Sequence, residues 1–150
     1  MKYVDAKVVF QEIPDEITLA ISISGCTIHC VGCHSKYLWD DIGELLTIDS
    51  LKQLIEKNSG ITCVCFMGGD SNPSDIDALA QWVKIYYPLK VAWYSGRQEL
   101  AKEINLKWFD FLKLGPYIEE LGPLNSKTTN QRFYKVVNGE LIDITSRFWK

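Results

Sequence analysis

Apolar positions along this chain follow two different periods, and they mark out its elements. Residues 7–10 (KVVF) predict a short strand. Residues 17–24 (ITLAISIS) alternate small and apolar groups, predicting a strand that Gly25 ends. Between 47 and 58, Leu51, Leu54 and Ile55 recur at helical spacing, and Thr47 or Asp49 can cap that helix. Residues 61–67 (ITCVCFM) are apolar but for Thr62, as in a buried strand, and stop at Gly68–Gly69. A second helix is expected over 74–87, with Ser74 as its cap and Pro88 just beyond. Then come a strand at 89–94 broken by Ser95–Gly96, a shorter helix around 98–104, and a strand at 108–114 closed by Gly115–Pro116. Two runs, 132–137 and 140–145, flank Asn138–Gly139; that dipeptide between alternating runs is the strongest short-range hairpin signal. Residues 118–131 have little periodicity and read as an ordered loop over the site.

Alternation of strand and helix predicts an α/β fold with a mostly parallel sheet and helical crossovers. A closed eight-unit barrel needs about 250 residues. The 150 residues here suit a single domain, 1–150, built as an open partial (βα) barrel with a C-terminal β-hairpin. In such sheets the chemistry sits at the carboxyl ends of the strands. The segment after Gly25, Gly68–Asp70, Ser95–Arg97 and Gly115–Pro116 all fall there and converge on one edge.

Composition narrows the class. Hydrophobic residues make up 47%, enough for a continuous core, and the net charge of −3 carries no basic stripe for nucleic acid. No apolar run approaches a membrane span, and polar breaks interrupt the N-terminal segment where a signal peptide needs a continuous apolar stretch. The expected location is the cytoplasm. Five cysteines, an odd number in a reducing compartment, argue for metal or redox chemistry rather than a disulfide framework.

Three of those cysteines, Cys26, Cys30 and Cys33, fall within eight residues. Three readings compete. A zinc site completed by His29 or His34 is one, though structural zinc usually draws paired knuckles from two places in a chain. A thiol–disulfide motif would use Cys30 and Cys33 and leave Cys26 unexplained. An iron–sulfur cube held at three corners would leave one iron open to a small ligand, where four cysteines would close it.

The spacing Cys-x₃-Cys-x₂-Cys after a strand and Gly25 resembles the radical S-adenosylmethionine enzymes. That resemblance implies a [4Fe–4S] cluster on Cys26, Cys30 and Cys33, with S-adenosylmethionine on the open iron. Reductive cleavage of the sulfonium then gives methionine and a 5′-deoxyadenosyl radical. MGGD (67–70) resembles the family's glycine-rich motif, which implies that Gly68, Gly69 and Asp70 bind the methionine moiety. Ser95 would line the ribose side, and His34 would pack beside the cluster or the adenine. GCTIHCVGCHSKYLW (25–39), WYSGR (93–97), GPYIEEL (115–121) and TTNQR (128–132) resemble one subgroup, the activases of anaerobic (class III) ribonucleotide reductase. It implies a glycyl radical formed on the large reductase subunit and an electron donor such as flavodoxin or ferredoxin. The chain departs from the family at IPDEI (13–17), where Gly-x-Gly-x-Arg is frequent. It departs again at Ser71, where Pro follows Gly-Gly-Asp, and at Leu114, where Asp often precedes Gly-Pro. These departures bear on substrate-side detail. Two alternatives remain: another radical S-adenosylmethionine enzyme, with a different glycyl-radical partner or a pterin-type small molecule, and a zinc-stabilised binding module without catalysis.

Cys63 and Cys65 share one face of a strand and read as small buried hydrophobes rather than extra ligands. Asn130, Gln131 and Arg132 are a polar patch or contacts to ligand or partner. Arg97, just after Ser95–Gly96, would reach a carboxylate.

Overall fold

The computed structural model describes residues 1–26 and 39–149. Eight strands form one open sheet: β1 (Lys2–Val9), β2 (Thr18–Ile23), β3 (Glu44–Leu45), β4 (Cys63–Met67), β5 (Lys90–Tyr94), β6 (Phe111–Leu114), β7 (Arg132–Val137) and β8 (Glu140–Asp143). Their spatial order is β3-β1-β2-β4-β5-β6-β7-β8. The four central strands, β2, β4, β5 and β6, run parallel in sequence order. The flanking pairs, β3–β1, β1–β2, β6–β7 and β7–β8, are antiparallel. The sheet is therefore mixed where a mostly parallel one was expected. The excess antiparallel pairing comes from β1, which extends to Lys2, well before the expected 7–10, and turns back onto β2.

Two helices, α1 (Ile48–Lys57) and α2 (Pro73–Tyr86), cover one face. Thr47 wins the α1 cap over Asp49: its Oγ1 accepts from Ser50 N–H and its own N–H donates to Ser50 Oγ, a capping box. α2 starts one residue before Ser74, with Pro73 in its first turn, where the missing N–H costs no helical bond. Leu51 and Ile55 of α1 and Ile76, Ala80 and Val83 of α2 pack onto Leu19, Ile21, Val64, Phe66, Val91, Trp93 and Leu112. The opposite face buries Cys63, Cys65, Ala92, Phe111 and Phe133 under Ile13, Leu124 and Phe148, side chains from loops and the last 3₁₀ turn. Burial on both faces is why β4 is apolar at every position.

The helix expected over 98–104 does not form; that stretch is irregular and leads into a 3₁₀ turn at Leu106–Trp108. Ala101 and Ile104 are nevertheless buried, so their apolar spacing served packing rather than a helix. The hairpin closes as expected at Asn138–Gly139, both with positive φ, at 52° and 77°.

Candidate cofactor site at the carboxyl edge

Because β2, β4, β5 and β6 are parallel and adjacent, their carboxyl ends form one edge. Cys26 lies three residues beyond β2, Gly68–Asp70 follow β4, Ser95–Arg97 follow β5, and Gly115–Pro116 follow β6. The convergence expected from the sequence is thus present. Cys26 is a free thiol, partly exposed. Gly25 reaches it through a positive φ of 73°, with its N–H donating to Asp40 O at 3.0 Å. Cys30, Cys33, His29 and His34 lie outside the described residues. Among the described residues no three His, Cys, Asp or Glu side chains gather into a metal site.

Gly68 is held on three sides. Its N–H donates to Tyr94 O at 3.0 Å, and its carbonyl accepts from the Trp93 indole at 2.6 Å. A Cβ there would stand 3.0 Å from Ile23 O, on a backbone at φ +110°. The strand ends of β2 and β4 thus meet with only a glycine's thickness between them.

Asp70 and Ser95, both expected to touch a cofactor, spend their side chains on each other. Asp70 is 3% exposed and Ser95 fully buried. Ser95 Oγ donates to Asp70 Oδ1, and Gly96 N–H donates to Oδ2 at 2.9 Å. Arg97 N–H donates to Ser95 Oγ at 3.1 Å, and Arg97 Nη2 donates to the Asp70 carbonyl at 2.8 Å. Arg97 Nε, 3.8 Å from Asp70 Oδ1, is buried without a hydrogen-bond partner. β6 joins the knot: Ser95 N–H donates to Lys113 O at 2.9 Å, and Gly115 N–H donates to Arg97 O at 2.6 Å. Beside it opens a cleft of ≈ 730 Å³ lined by residues 96–103 and Pro116.

Sequence reasoning missed a row of residues on the helix-free face. Ser22, Met67, Tyr94 and Lys113 stand in register across β2, β4, β5 and β6, one layer below the edge. All four are partly exposed while the layers beneath are closed. Each lies one or two residues before its strand's glycine or serine turn, and that nearness was the available signal. Of the polar patch, Asn130 belongs to the edge: its Nδ2 donates to Pro116 O at 3.1 Å, and its buried Oδ1 has no partner. Gln131 is buried, and Arg132 instead faces Asp143 across the hairpin at 3.8 Å. Cys63 and Cys65 are fully buried in the opposite core, and burial pushes the Cys63 thiol up to about 12 and Cys65 well above its ordinary value. They are inert thiols.

The parallel-strand edge carries a partly exposed thiol and a glycine or serine turn after each strand, and the chain belongs to the family of 4Fe-4S single cluster domains, whose model matches residues 17–136. That span takes in Cys26, Cys30 and Cys33 and all four parallel strands. More particularly, the chain is 33% identical over 115 residues to the anaerobic ribonucleoside-triphosphate reductase-activating protein of Haemophilus influenzae, covering 65% of this chain and 72% of that protein. The relative bears out the resemblance to activases of anaerobic ribonucleotide reductase, and the family model bears out the iron–sulfur reading of the cysteines. No solved structure matches the chain. Among the described residues, no helix is long and apolar enough to cross a membrane.

Proposed function

We propose that this protein is a radical S-adenosylmethionine activase that generates a glycyl radical on the large subunit of an anaerobic ribonucleotide reductase. The observation that carries the reading is the meeting of Cys26, Gly68–Asp70 and Ser95–Arg97 at one edge of a parallel block, in a chain of the 4Fe-4S single cluster family. The likeness to a reductase-activating protein supplies the partner. The parallel block and its helical crossovers also support the open partial (βα) barrel, with the helix-free face as its inside.

The residues present fit the two groups this reading requires. Cys26 is a free, accessible thiol at the edge, and with Cys30 and Cys33 it would hold a [4Fe–4S] cluster by three corners. The cleft beside Arg97, lined also by Glu99, Lys102 and Glu103, carries both signs of charge and so has the chemistry to take the zwitterionic end of S-adenosylmethionine. When bound, the pair supplies one-electron cleavage of the sulfonium. The chain's own work is to hold and orient. Gly68 lets the backbone of β4 turn tightly beside β2, and the Trp93 indole fixes its carbonyl. The row Ser22, Met67, Tyr94 and Lys113 forms the wall on the inner face. Closed layers of Cys65, Ala92, Phe111 and Phe133 keep water out from below. An electron donor such as flavodoxin or ferredoxin completes the reaction in a cytoplasmic setting.

Anaerobic reconstitution tests the proposal. The expected protein is brown and holds about four irons per chain, and serine at any of Cys26, Cys30 or Cys33 removes most of them. Mixed with reductant, S-adenosylmethionine and the reductase large subunit, it should yield a glycyl radical by electron paramagnetic resonance. One tightly held zinc without colour would replace this reading with a binding module. Deoxyadenosine and methionine without a glycyl signal would keep the radical chemistry and discard the partner.

A further inference from the structure

We propose that Asp70 is a positioning residue: it ties the turns after β4 and β5 into one rigid seat and does not itself touch the cofactor. This rests on the reading that the carboxyl edge seats S-adenosylmethionine. The position of Asp70 in a glycine-rich turn invites the opposite view, a carboxylate facing the ligand's ammonium. The geometry points elsewhere. The carboxylate is 3% exposed, so it has almost no surface to offer. Both oxygens are engaged across 25 and 26 residues of chain, by Ser95 Oγ–H and by Gly96 N–H. The bonds close a ring, since Ser95 Oγ accepts from Arg97 N–H while Arg97 Nη2 returns to the Asp70 carbonyl. A second tie anchors the ring to β6 through Gly115 N–H and Arg97 O, at 2.6 Å. Three loops that would otherwise move independently thus share one hydrogen-bonded centre. Its exposed products are the Gly96 and Arg97 surfaces that line the ≈ 730 Å³ cleft. A ligand meeting that preformed wall is spared the cost of ordering it.

Asparagine and alanine at position 70 separate the two views. Asp70→Asn keeps an oxygen for Gly96 N–H and turns an amide N–H toward Ser95 Oγ, which can accept it, so the tie between the two turns survives; the charge and the acceptor of the Ser95 O–H are lost. Asp70→Ala removes both acceptors. Equilibrium binding of S-adenosylmethionine to the reconstituted variants, read from the cluster's paramagnetic spectrum, should give Asp70→Asn within about threefold of the parent. Asp70→Ala and Ser95→Ala should bind at least about tenfold more weakly. Amide hydrogen exchange at residues 96 and 97, measured without ligand, should accelerate by about tenfold in the alanine variants and stay unchanged in Asp70→Asn. Asp70→Asn binding as weakly as Asp70→Ala would show direct charge contact and overturn the proposal. So would alanine variants with faster exchange but unchanged affinity, which is a merely structural role. If the parent binds no S-adenosylmethionine, the cofactor reading fails by itself, and exchange alone then decides: unchanged exchange in both alanine variants overturns the tie. Should Asp70→Ala not fold, Ser95→Ala and Asp70→Asn give the same decision.

Discussion

Replacing Gly68 by alanine tests the closest approach in the site. The residue sits at φ +110°, outside the region that L side chains accept, and its new Cβ would lie 3.0 Å from the carbonyl oxygen of Ile23. Two costs add. Backbone strain at such a φ is about 1–3 kcal/mol. Crowding falls on a strand backbone, not on the far end of a flexible side chain, and forcing a few tenths of an ångström there costs about another 1–3 kcal/mol. Gly60 is the control, because it has a similar φ of +92° but nothing within 4 Å of its would-be Cβ. Gly60→Ala carries the strain alone. Gly68→Ala should therefore unfold about 4–8 °C below Gly60→Ala, taking a 2 kcal/mol difference at about 2–4 °C per kcal/mol for a chain of this size. Thermal unfolding followed by circular dichroism measures it. Ile23 lies three residues before Cys26, so the displaced backbone leads straight to the first thiol. Iron retention in Gly68→Ala should drop while Gly60→Ala keeps the parent's content. Equal melting temperatures for the two variants would refute the argument, because the contact with Ile23 would then carry no energy.

Cys63 predicts a pH dependence. Its thiol is pushed up to about 12 in the fold, chiefly by burial, from an ordinary value of 9.0. Below pH 9 both states hold the proton and its contribution is constant. Between pH 9 and 12 only the unfolded chain releases it, so stability falls by about 1.4 kcal/mol per pH unit. Urea midpoints at pH 8 and 10.5 should separate the parent from Cys63→Ala by a pH-dependent difference of about 2 kcal/mol; parallel curves would contradict the buried thiol. In native protein at pH 8, an alkylating reagent should modify Cys26 and spare Cys63 and Cys65, with peptide mapping as the readout. Lys84 Nζ lies 2.6 Å from Asp110 Oδ2, which also accepts from Val91 N–H at 2.9 Å. Asp110→Ala should cost about 2–3 kcal/mol and Lys84→Ala about 1 kcal/mol, since only the first strips a backbone donor of its acceptor. The reverse order in chemical denaturation would show that the ion pair, not the backbone bond, dominates.

Residue order alone determined several things about this protein. The cysteine spacing, the apolar run of 61–67 and the turn at Asn138–Gly139 are local signals, and local chemistry decides them. A glycine or serine turn after each of the strands β2, β4, β5 and β6 placed the candidate site on one edge before any pairing was known. Other features needed the tertiary structure. β1 became an antiparallel neighbour of β2, and the sheet became mixed, because strand pairing joins positions whose separation no period records. Residues 98–104 gave up the helix that Gln98, Glu99, Leu100, Ala101 and Lys102 favour locally, and bury Ala101 and Ile104 without it: tertiary packing overrode local propensity. Asp70 turned inward because its partners, Ser95 and Gly96, stand 25 and 26 residues away, brought close only by the parallel register of β4 and β5. A sequence states which groups can bond, and folding decides which of them meet.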